Sequence, residues 1–99
     1  GAELEAKDNN GFTPLLCAAA EGHDDCIDPL VKAGAELEAK DNNDDTPLLC
    51  AAANGHADCI ALLVKAGAEL EAKDNNGFTP LLCAAAEGHD DCIDPLVKQ

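Results

Sequence analysis

Residues 1–33, 34–66 and 67–99 are three copies of one 33-residue text, GAELEAKDNNGFTPLLCAAAEGHDDCIDPLVKA. The outer copies differ only at their last residue, Ala33 against Gln99. The middle copy departs from them at Asp44, Asp45, Asn54, Ala57, Ala61 and Leu62. A fixed period of this length constrains the fold more than any other feature. Each unit is too small to bury its own apolar face and must stack on its neighbours, which makes a solenoid. No linker interrupts the array, so residues 1–99 form one domain of three units. That length is short for a conventional core but adequate for stacked units.

Within one unit, Glu3-Leu4-Glu5-Ala6 alternates polar and apolar, the period-2 pattern of a short extended segment with one buried side. Lys7-Asp8-Asn9-Asn10-Gly11 has turn chemistry, because Asp and Asn bond their own backbone and Gly tolerates positive φ. Thr13-Pro14 predicts a helix start, with the Thr hydroxyl as cap and Pro preformed for the first position. Leu15 to Ala20 supplies about two turns, and Gly22 stops them as a left-handed C-cap. A second helix follows, with Asp24 and Asp25 at its positive end and Lys32 at its negative end. Pro29 and Pro95 fall inside it where the middle unit has Leu62, so its first turn is expected to be distorted while neighbouring units template the rest.

Composition excludes several partner classes. The formal charge of −14 is spread over all units, each with two Lys against six or seven carboxylates. Such a surface repels phosphate backbones and anionic headgroups, which argues against nucleic acid and membrane partners and favours a protein with a basic surface. No apolar run approaches the roughly 18 residues of a membrane span, and no signal peptide opens the chain, so a soluble cytoplasmic or recombinant protein is expected.

The text TPLLCAAAEGH, an apolar helix and GAELEA together resemble the ankyrin repeat, a unit of about 33 residues with a β-turn, two helices and a Thr-Pro-Leu-His-x-Ala signature. Thr13-Pro14-Leu15, Thr46-Pro47-Leu48 and Thr79-Pro80-Leu81 match, as do Gly22-His23, Gly55-His56 and Gly88-His89. The resemblance covers the chain in all three registers and implies an all-α solenoid of helix–loop–helix units with β-turn tips. Two departures stand out. The signature His is Leu16, Leu49 or Leu82, and Asp44 replaces the turn Gly of the other copies, which should strain the middle turn.

The resemblance further implies a non-enzymatic scaffold that holds a protein on its turn tips and on the concave face of the first helices. Carried onto this chain, those positions are Asn9, Asn10, Phe12, Ala20 and Glu21 in the first unit. They are Asn42, Asn43, Asp45, Ala53 and Asn54 in the second, and Asn75, Asn76, Phe78, Ala86 and Glu87 in the third. Phe12 and Phe78 fit either a recognition role or a role covering the flank of the adjacent turn. The near identity of the copies reads as an engineered or consensus-built array. It leaves a second function open, a self-assembling block that stacks head to tail, with Gly1 of one chain near Gln99 of the next.

Six cysteines invite other chemistry. Cys17 and Cys26 fall on neighbouring helices, as do Cys50 and Cys59, and Cys83 and Cys92. They read as reduced core residues, because packed helix axes 8–10 Å apart rarely bring α-carbons within disulfide reach. Cys17, His23 and Cys26 are ligand types that zinc accepts, but the Gly-His loop and core packing explain the same residues. A calcium loop counted from Asp8 fails, with Thr13 at its sixth position and Ala19 at its twelfth. A Cys17, His23, Asp25 constellation would recur in every unit with its thiol facing the core, which is no catalytic pocket. No catalytic, cofactor or metal residue is therefore expected, and the histidines are expected to brace turn backbone.

Overall fold

The computed structural model describes residues 3–98. Among them the chain forms three helix pairs: α1 (Pro14–Glu21) with α2 (Asp24–Lys32), α3 (Pro47–Ala53) with α4 (Ala57–Ala66), and α5 (Pro80–Ala86) with α6 (Ile93–Val97), the last preceded by a 3-10 turn at Asp90–Cys92. First helices stack on first helices and second on second, giving a body of 38 × 25 × 19 Å.

Each first helix starts as its sequence dictates. The Thr13, Thr46 and Thr79 hydroxyls accept from the amides of Leu16, Leu49 and Leu82 at 3.3 Å, and Pro occupies the next position. Gly22, at φ 77°, ends α1, and its amide reaches back to the Ala18 carbonyl. The core is a continuous seam of Leu15, Ala19, Ile27, Leu48, Leu49, Ala52, Ile60, Leu63 and Ala84, small enough to let the helices approach closely.

The prolines act as expected on the second helices. Proline lacks the N–H that would bond four residues back, and its ring crowds that carbonyl. In the outer units the first turn is accordingly wound tight, with the Cys26 amide on the His23 carbonyl and the Cys92 amide on the His89 carbonyl. The Leu62 unit instead closes a regular turn from the Ile60 amide to the His56 carbonyl and carries the longest helix.

The alternation at the start of each unit does not make an extended segment. Leu4-Glu5, Leu37-Glu38 and Leu70-Glu71 form turns, and no strand occurs among the described residues. The alternation still sorts burial at its start, with Ala35 and Ala68 in the core. What fills the place of strand pairing is a carboxylate. Glu5 Oε2 accepts from the Glu36 amide at 2.9 Å, and Glu38 Oε2 from the Glu69 amide at 2.8 Å.

Candidate protein-interaction face

The three tips are built alike around one aspartate. The Asp8 amide donates to the Phe12 carbonyl and the Gly11 amide returns to the Asp8 carbonyl. Asp8 Oδ1 then accepts from the amides of Asn10 and Phe12, both at 2.9 Å. Asp41 and Asp74 repeat this closure with Asn43 and Asp45, and with Asn76 and Phe78. Each tip thus closes its backbone onto one acid, exposed at Asp8, buried at Asp41 and half-buried at Asp74, and its Asn residues are exposed.

The first two tips are also held in register. The Asn42 amide donates to the Asn10 carbonyl at 3.1 Å, its side-chain amide donates to the Asn9 carbonyl at 3.2 Å, and Lys7 Nζ donates to the Lys40 carbonyl at 3.3 Å. Gly11 makes this approach possible, since a Cβ there would lie 2.6 Å from Asn42 Oδ1. In the middle unit Asp44 occupies the matching left-handed position at φ 66°, the one non-glycine at positive φ among the described residues. The expected strain is therefore present in the backbone.

Of the fifteen positions predicted for contact, all are at least partly accessible. Asn9, Asn10, Asn42, Asn43, Asn75 and Asn76 are exposed on the tips, and Glu21, Asn54, Ala86 and Glu87 are exposed at the ends of the first helices. Phe12, Ala20, Asp45 and Ala53 are half-buried. Phe12, with a unit behind it, is partly covered, whereas Phe78 is exposed. Asn54 folds back, its side-chain amide donating to the Cys50 carbonyl at 3.0 Å.

The histidines do not brace their own turns. His56 Nε2 reaches the Ala20 carbonyl and His89 Nε2 the Ala53 carbonyl, each at 3.1 Å and each in the preceding unit. The ring packs over the left-handed glycine of that unit, where a Cβ on Gly22 would meet His56 Nδ1 at 2.7 Å and one on Gly55 would meet His89 Nδ1 at 2.8 Å. The Gly-His pair is thus an inter-unit latch. Its sequence signal is the 33-residue recurrence itself, although local spacing does not reveal the direction of reach.

A family model described as ankyrin repeats (3 copies) matches residues 33–99, and a second, ankyrin repeat, matches residues 10–42. The chain belongs to the ankyrin-repeat family. Comparison with curated proteins finds no significant match. Ankyrin repeats generally mediate protein–protein interaction, and the tips and first helices described above are the repeated, outward-facing elements of this ankyrin array.

The thiols of the array divide by position. All six are free; Cys50, Cys59, Cys83 and Cys92 are buried, but Cys17 is half-buried and Cys26 exposed, which corrects the expectation of six equivalent core residues. Burial, then the charges of Asp8 and Glu21, push the Cys17 thiol up, the reverse of what a nucleophile needs. Cys50 is pushed up to about 12, first by burial and then by Asp41 and Asp45. Asp41, Asp45 and Cys50 bring one potential metal-ligand atom each within 4.8 Å of one another. Their proximity follows from the turn, where Asp41 Oδ1 already accepts two amides, and the burial that raises the Cys50 thiol opposes the thiolate a metal would require.

Proposed function

We propose that this chain is a non-enzymatic protein-interaction scaffold of the idealised, engineered kind, contacting its partner through the three tips and the exposed ends of the first helices. The observation that carries this reading is the row of identically closed tips. Each uses its aspartate and backbone internally, which leaves pairs of asparagines repeating along one side of the array. Rigid, pre-closed loops lose little entropy on binding, which favours affinity without large anchors. The net charge of −14 selects a partner with a basic surface and disfavours nucleic acid and anionic membranes. Among the described residues no helix is long and apolar enough to cross a membrane. Six free thiols suit a reducing compartment such as the cytoplasm.

The test places a photo-crosslinking residue at Asn43, at Glu87 or, on the opposite helix layer, at Asp28. Each protein is then exposed to a panel of purified basic proteins. Stoichiometric adducts from Asn43 and Glu87 with few from Asp28 are expected. Equal labelling from all three sites would overturn the assignment of the face.

A further inference from the structure

We propose that this chain docks head to tail on a second copy of itself, the trailing face of its third unit covering the leading face of the next molecule's first unit. The inner junctions define both faces, because residues at equivalent positions differ in exposure with the neighbour they have. Leu16 and Leu49, each with a unit behind, are 0% exposed, whereas Leu82 is 52% exposed and Leu81 40%. On the other side, Cys59 and Cys92 have a unit in front and are buried, whereas Cys26 is exposed. Leu63 is buried and its equivalent Leu30 only partly so.

The leading face is a hollow. Pro14, Cys17, Ala18, Cys26, Pro29 and Leu30 line an apolar cavity of about 500 Å³, with His23 and Asp25 also at its wall. The trailing face offers the complement: Leu81 and Leu82, with Val97 51% exposed beside them. Within the chain these same residue types meet twice, α1 on α3 and α3 on α5, so their fit is already demonstrated by the inner packing.

The polar register continues as well. His56 and His89 each bond a carbonyl 36 residues earlier, at Ala20 and Ala53. The next carbonyl in that series is Ala86, and the next histidine is His23 of a second copy. Gly88, at φ 74° with nothing within 4 Å of its added Cβ, leaves the space that Gly22 and Gly55 give to their histidine rings. Glu71 is the equivalent of Glu5 and Glu38, whose carboxylates accept the next unit's amide, and the amide next in that series is Glu3 of the second copy. Gly1 and Gln99, which would meet at the join, lie outside the described residues. A foreign partner would have to imitate both sets of contacts, whereas a second copy carries the same PLLCAAA first helix that makes both inner junctions. The contact is heterologous and need not close, so it can extend. Repulsion between bodies of −14 charge opposes it at low ionic strength and is screened by salt.

Sedimentation of the wild type and of two face variants tests this. Leu82→Glu places a charge on the trailing face and Cys26→Glu on the leading face, both at positions exposed in the single chain. The wild type should associate with rising concentration and salt, and Cys26 should become protected from alkylation in step. Each variant alone should stay at the 10.2 kDa monomer mass. Mixed together they should form a 1:1 pair of about twice that mass that grows no further, because each supplies the face the other lacks. Should Leu82→Glu unfold, Val97→Glu substitutes for it. A wild type that remains monomeric at millimolar concentration and high salt overturns the proposal. So does a variant that still associates alone, or a mixture that fails to pair.

Discussion

Replacing Asp45 by asparagine should stabilise the array at neutral pH, with the gain vanishing in acid. Asp45 stands where the outer copies have Phe12 and Phe78, half-buried at the root of the middle tip. Burial, then the charges of Asp41, Asp74 and Asp44, push its carboxyl from 3.8 up to about 6. A carboxyl with a folded pKa above its unfolded value holds its proton more tightly in the fold, so its ionisation costs stability. Below about pH 4 both states are protonated and the cost is absent; it grows between about pH 4 and 6 and is complete above that. A shift of about two units at 1.36 kcal/mol each would cost ~3 kcal/mol. The side chain keeps contact with water, and screening lowers this to about 1 kcal/mol.

The assay is urea denaturation of wild type and Asp45→Asn in parallel at several pH values, since the difference between them cancels every other carboxylate. Asp45→Asn should be more stable by about 1 kcal/mol near pH 7.5, a rise of about 4–8 °C in Tm for a domain this small, and indistinguishable near pH 4. A difference that stays constant with pH, or a variant less stable at neutral pH, would refute the argument. Either result would mean that the Asp45 carboxylate is satisfied in the fold rather than penalised by it.

Asp44→Gly should raise stability by about 0.5–1 kcal/mol, since φ 66° strains an L-residue and not glycine; an unchanged urea midpoint would show the turn relaxed. Gly55→Ala should cost about 2 kcal/mol, from left-handed strain and displacement of the His89 ring, and a thermal midpoint equal to wild type would contradict it. Thiol titration of dilute native protein should find Cys26 fast, Cys17 slower and the other four reactive only after denaturation; uniform rates would show that the end faces are not as described. Raising NaCl from about 10 to 500 mM should increase the melting temperature by screening carboxylates that recur at each unit, and a lower midpoint in salt would sink that reasoning.

The architecture was legible because recurrence and local caps agree. Thr13-Pro14, Thr46-Pro47 and Thr79-Pro80 each start a helix where the hydroxyl and ring demand it, and Gly22 ends one in the left-handed region. The turns before Pro29 and Pro95 are wound tight, where the sequence places a distorted first turn. Three features were not legible, and each depends on a neighbouring unit. Glu3 to Ala6 alternates like a strand, but the carboxylate of Glu5 bonds the next unit's amide and the backbone turns. His56 and His89 serve the preceding helix, a direction that spacing within one unit does not encode. Cys26 and Cys92 share the same local sequence, and place in the array exposes the first and buries the second. For the candidate face, turn chemistry showed where the tips lie and the ankyrin resemblance alone implied contact there, while the half-burial of Phe12 against an exposed Phe78 needed the stack.

Near-identical units leave little room for a unique site, so the six middle-copy substitutions carry most of the asymmetry of this molecule. They fall into two groups with opposite physical effects. Ala57, Ala61 and Leu62 lie on α4, where removing a proline restores a regular first turn and the longest helix of the array. An interior proline costs about 3 kcal/mol, so this group strengthens the one unit that is packed on both sides. Asp44, Asp45 and Asn54 lie at the tip and at the end of α3, where they add a strained backbone, a carboxyl raised to about 6 and a self-bonded amide. Asp44 and Asp45 weaken the tip, while Asn54 satisfies the Cys50 carbonyl at the end of α3. The central unit is thus firmer in its second helix and costlier at its tip, and if the tips are the contact face proposed above, the middle tip is the one whose chemistry differs from its neighbours.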